Sequence, residues 1–145
     1  MAPYWSIEEK RIDPSVVFRA LPKHFPGATT MFLEGTSIAD EVKECLRSHV
    51  EEGPHLPGRQ TKWPKAELFR CRFSPELCAA LESLSERHAE PELCDHLYVY
   101  RGEQPLMDFP DFCASNIFLP ESMPESQVRA FAEVFGLRYE KRYDG

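Results

Sequence analysis

Residues 67–88 read ELFRCRFSPELCAALESLSERH, and the order of residue types in this stretch decides the fold class. Leu68, Arg70 and Arg72 alternate with Phe69, Cys71 and Phe73, the period of two that sends successive side chains to opposite sides of a strand. Ser74-Pro75-Glu76 then opens a helix: serine suits the N-cap, proline the first helical position, and an acid the positive end of the dipole. Leu77, Cys78, Leu81 and Leu84 follow at helical spacing, so the helix predicted to run to about His88 has one apolar stripe.

The same grammar recurs on both sides. From Thr30 to Val50, a strand at Thr30 to Glu34 is followed by Gly35, a start signal at Ser37 with Asp40 three residues on, and a stripe of Ile38, Val42, Cys45, Leu46 and His49. From Ser115, a strand to Leu119 leads into Ser122-Met123-Pro124-Glu125, a serine-to-glutamate capping pattern. A helix burying Val128, Phe131, Ala132 and Phe135 is expected to stop at Gly136. Between the second and third units, Asp95 to Arg101 reads as a strand and Gly102-Glu103 as a two-residue hairpin turn, with Gln104 to Phe109 pairing back. Pro105 predicts that this arm is an edge, which a dimer would protect. Leu137 to Tyr143 reads as a closing strand.

Strands alternating with helices argue for an α/β fold, with α+β as the alternative. The expectation is a single domain over residues 1–145, with a mixed sheet of five or six strands and three amphipathic helices. Residues 1–29, with Pro3, Pro14, Pro22 and Pro26, read as an irregular proline-rich entry with a short helical or strand piece around Ser15 to Leu21.

Composition narrows the class. Of 145 residues, 42% are hydrophobic and 28% charged, the balance of a chain that folds without metal or disulfide staples. Five scattered cysteines, Cys45, Cys71, Cys78, Cys94 and Cys113, suggest reduced thiols in a cytoplasmic protein. No apolar run of membrane-spanning length and no export leader is read. The net charge of −7 argues against nucleic-acid binding, which rests on lysine and arginine neutralising phosphates. Neither a cofactor nor a metal is expected: Cys94, Asp95 and His96 with His88 lack the paired spacing of a zinc site.

Charge is unevenly spread. Residues 52–66 have neither period and read as a long loop. From Pro54 to Arg72 the charged residues are Arg59, Lys62, Lys65, Arg70 and Arg72 against Glu67 alone. His55, Arg59, Gln60, Lys62 and Trp63, with Arg70 and Arg72 from the following strand, therefore form the leading candidate site. It suits an anionic ligand or acidic protein surface, since arginine grips carboxylates with two bonds and tryptophan supplies flat contact area. This predicts a small binding or regulatory module, as monomer or dimer. The alternative is an inhibitor or immunity-type protein that docks a basic partner on Asp40, Glu41 and Glu44. A third reading, a small enzyme with a dispersed active site, requires His55, Cys71 or the Asp108 region to line one cleft. No catalytic signature identifies such a site, and Cys71, alternating with Phe69 and Phe73, is expected to point into the core and stay inert.

Overall fold

The computed structural model describes residues 3–56 and 65–143. In chain order the elements are β1 (Tyr4–Ile7), α1 (Pro14–His24), β2 (Thr30–Gly35), α2 (Asp40–Arg47), β3 (Glu67–Arg72), α3 (Pro75–Leu84), α4 (Glu90–Leu93), β4 (His96–Arg101), β5 (Gln104–Phe109), β6 (Ile117–Pro120), α5 (Glu125–Val134) and β7 (Tyr139–Arg142). The strands form one seven-stranded sheet in the order β3-β2-β4-β5-β6-β1-β7, and every pairing is antiparallel.

The fold is therefore α+β, in place of the mixed sheet of five or six strands with three helices. A strand, a helix and a second strand make a parallel pair when the helix alone returns the chain to the starting end of the sheet. After α2 the chain does return: the Arg72 N–H donates to His49 O at 3.0 Å, beside the start of β2. It then turns back along β3, with a bridge between Val50 and Cys71 and the Glu51 N–H donating to Arg70 O at 3.0 Å. This extra pass reverses the next strand, so Glu67 begins β3 opposite Gly35, where β2 ends.

The proline-rich entry holds two elements. Asp13 accepts from the Ser15 N–H at 3.0 Å and Pro14 takes the first helical turn, so the prolines that suggested irregularity start α1. β1 pairs with β6 and β7 from the far end of the chain. Pro105 does not confine β5 to an edge: β5 lies between β4 and β6. Pro105 sits beside a register shift at Val99/Tyr100, and the register with β6 is Asp108 against Phe118, well away from it, so the missing N–H breaks no ladder there.

All five helices bury side chains against one side of the sheet. Phe18, Val42, Leu81, Leu93 and Phe131 join Trp5, Ile7, Met31, Leu33, Cys71, Leu97, Val99, Met107, Phe109, Ile117 and Leu119 in one core. Among the described residues, the opposite side of the sheet carries no helix. Among the described residues, no helix is long and apolar enough to cross a membrane.

Candidate functional site

Strand periodicity makes the helix-free side. Because every second residue faces away from the core, the register lines up Arg70, Phe32, Tyr98, Asp108, Phe118, Ser6 and Glu140 in one row across all seven strands. A second row places Arg72 opposite Thr30 and Thr30 opposite Tyr100. This side is polar and aromatic. The Phe32 ring meets Tyr100 edge to face at 5.4 Å and is fully buried outside the helix-side core. Tyr98 donates its hydroxyl to the buried Glu34 carboxylate at 3.2 Å.

The two arginines of β3 have different fates. Arg70 Nε and Nη2 reach Glu51 Oε2 at 3.1 and 3.0 Å, and Nη1 donates to Pro54 O at 2.7 Å. Its guanidinium also lies 5.5 Å from the Phe32 ring centroid. The Glu51 carboxylate additionally accepts from the buried Thr30 hydroxyl at 3.0 Å. Arg70 is thus part of the scaffold, with its side chain only 13% exposed. Gly53 makes room for it at φ +152°, where an added Cβ would stand 2.5 Å from Arg70 Cζ. Arg72, by contrast, is exposed and has no ion-pair partner among the described residues. Its backbone is fixed by His49, its cross-strand neighbour is Thr30, and Tyr100 stands one strand further along the same row. Burial first, and then Asp108, raise the Tyr100 phenol above its ordinary value, keeping it a proton donor.

Sequence reasoning did not single out Arg101, whose side chain turns to the helix side of the sheet, beside Gly27 and in a cleft with Phe25 and Met123. It follows Tyr100 at the end of β4, is exposed, and donates to Gln104 Oε1 at 2.9 Å. The antiparallel register brings this end of β4 to the end of β3 that carries Arg72, a tertiary juxtaposition that no local spacing encodes. His55 is exposed on the segment after α2. Arg59, Gln60, Lys62 and Trp63 lie outside the described residues.

The acidic helix face is partly committed. Glu41 accepts from Arg87, and its Oε2 lies 2.8 Å from His88 Nε2. These bonds, Arg87 first and then His88, hold its carboxyl below the usual glutamate range. Asp40 and Glu44 are exposed on α2. Beside them Lys43 neutralises Glu67 at 2.5 Å.

A third location, a cleft of about 310 Å³, is lined by Arg11, Glu90, Cys94, Asp95, His96 and Asp111. Its polar groups are already engaged. His96 Nδ1 accepts the Asp111 N–H at 3.1 Å, Asp95 accepts from the Thr36 N–H and hydroxyl at 3.0 Å, and Arg11 pairs with Glu90 at 3.1 Å. Burial raises the thiols of Cys71 and Cys78 to about 12, and pushes Cys94 and Cys113 up as well. Such thiols are poor nucleophiles at neutral pH. Cys71 lies in the core and His55 on the surface, so these two candidates for an enzyme site do not meet. Among the described residues, no group of three His, Cys, Asp or Glu side chains is arranged to hold a metal ion.

No protein-family model, curated protein or solved structure matches this chain.

Proposed function

We propose that this protein is a small binding or regulatory module that recognises an anionic ligand or acidic protein surface on the helix-free side of its sheet. The recognition site lies at the end carrying Arg72 and Tyr100. The observation that carries this reading is the contrast within β3: Arg70 is neutralised by Glu51, whereas Arg72 is exposed, has no ion-pair partner among the described residues, and shares its row with the neutral Tyr100 phenol two strands away. A carboxylate there meets a two-pronged guanidinium and a hydroxyl donor. In sequence, the run preceding β3 adds the positive charges of Arg59 and Lys62, with His55, Gln60 and Trp63 beside them. Five free thiols suit a reducing, cytoplasmic setting.

The second reading, an inhibitor that docks a basic partner on α2, is supported by the exposed Asp40 and Glu44. It is weakened by Glu41, whose carboxylate already serves Arg87 and His88.

Fluorescence anisotropy with a labelled glutamate-rich peptide, at low salt, tests the proposal. Arg72→Glu is expected to weaken binding about tenfold or more, the scale of losing and reversing a charge-assisted bond. Asp40→Lys with Glu44→Lys is expected not to weaken it. Equal binding by the Arg72→Glu variant contradicts the proposal. A lysine-rich peptide that binds the wild-type protein and is lost in the Asp40→Lys, Glu44→Lys variant favours the second reading.

A further inference from the structure

The sheet ends differently on its two sides. Beyond β3, the residues from His49 to Glu51 add backbone bonds. Beyond β7 there is no further strand among the described residues. The β1–β7 register fixes which groups β7 leaves unused. The Glu8 N–H donates to Arg138 O at 3.0 Å, one step beyond the Ile7 and Tyr139 pair. Hydrogen-bonded pairs in an antiparallel ladder recur at every second position. Glu140 and Arg142 therefore turn their backbone groups toward β1, while Tyr139, Lys141 and Tyr143 turn theirs to the open edge.

The sequence on that edge is Tyr139-Glu140-Lys141-Arg142-Tyr143. Read against itself antiparallel about Lys141, it sets Tyr139 opposite Tyr143 and Glu140 opposite Arg142. The outward backbone groups then coincide: Lys141 exchanges bonds with the second copy's Lys141, and Tyr139 with its Tyr143. We infer that the β7 edge is a homodimer interface, in which two copies pair antiparallel through residues 139–143 and the sheet runs on through both.

Charge and burial support this occupant. Glu140 and Arg142 already pair within one chain, with Arg142 Nε and Nη2 at 2.9 and 2.8 Å from Glu140 Oε1. Across the two-fold axis they make an alternating cluster of two acids and two bases on the helix-free side. On the helix side, Tyr143, which is 72% exposed in the single chain, gains Tyr139 as a neighbour. A lysine on an edge ordinarily discourages pairing. Lys141 is drawn out of that role, because its ammonium lies 3.3 Å from Glu121 and 5.4 Å from the Trp5 ring centroid. The short strand implies a weak, reversible dimer.

Sedimentation velocity of the full chain over a hundredfold concentration range tests the interface. The sedimentation coefficient is expected to rise with concentration. Glu140→Arg and Arg142→Glu, each alone, are expected to weaken association about tenfold, the scale of replacing two cross-strand attractions by repulsions. The double variant, with both charges exchanged, is expected to restore it. Lys141→Pro removes only an outward-facing N–H from the ladder and is expected to abolish association, with urea unfolding confirming that the chain still folds. A monomer at every concentration overturns the inference. So does a dimer indifferent to the single reversals, which would place its interface elsewhere.

Discussion

Arg70 and Glu51 form a two-point ion pair across the edge of the sheet, Nε and Nη2 both reaching Oε2, at 3.1 and 3.0 Å. The pair ties the segment after α2 to β3 and holds the guanidinium against Phe32. The guanidinium is thereby committed to holding the helix-free face in place.

Arg70→Ala is expected to lower stability by about 2 kcal/mol, because it strands Glu51 and the Pro54 carbonyl and uncovers Phe32. Arg70→Lys is expected to recover only part of this, since one ammonium does not reproduce the planar fork. Urea unfolding of the two variants checks both statements. Arg72→Ala, changing an exposed side chain, is expected to stay within about 0.5 kcal/mol of wild type in the same assay.

Gly53 is the counterpart of that clamp. Gly53→Ala puts a methyl group where the Arg70 guanidinium lies and forces an L-residue to φ +152°. The expected result is a loss of about 1–3 kcal/mol. In the Arg70→Ala background the same substitution should cost less, since one of its two penalties is gone. Equal costs in both backgrounds would mean that backbone strain, and not the guanidinium, dictates glycine here.

The Glu41 cluster carries a pH signature. Its carboxyl is held below the ordinary value of 4.5 by Arg87 and His88. A carboxylate with a depressed folded-state value adds stability that is fully present above the unfolded value and disappears as pH falls through the folded one. Glu41→Gln is therefore expected to lower the urea midpoint at pH 7 and to lower it by progressively less as the pH falls below 4.5, measured by unfolding across that range.

Thiol accessibility separates the cysteines. Cys45, the one that is not buried, is expected to react first with iodoacetamide in the folded protein. Cys71 and Cys78, raised to about 12, and the buried Cys94 and Cys113 should remain unmodified until urea is added. Mass spectrometry of the labelled peptides reads the order. Rapid labelling of Cys113 in the native protein would reopen the question of a reactive thiol.

Local chemistry was legible where it was self-sufficient. Ser74 does cap α3, accepting from the Leu77 N–H at 3.0 Å, and Gly102 takes φ +60° in the turn between β4 and β5. Gly136 stops α5 at φ +66°. Competition between partners defeated the same reasoning at Ser122: its hydroxyl meets Gln104 Nε2 at 3.3 Å, and α5 starts at Glu125 behind Pro124 with no side-chain cap. Strand direction depended on the return pass at Val50, which has no periodic signal. The site was harder still. Arg70 and Arg72 are equivalent by alternation, and only Glu51, brought across the edge by that return pass, makes one structural and leaves the other exposed.

The central claim is that the Arg72 end of the helix-free face recognises carboxylates. The most direct measurement is a ¹⁵N–¹H correlation spectrum of the full chain, titrated with a glutamate-rich peptide at low salt. The account predicts saturable shifts clustered at Thr30, Arg72 and Tyr100, lost in Arg72→Glu. Shifts confined to α2, or no shifts at those three positions, would contradict it.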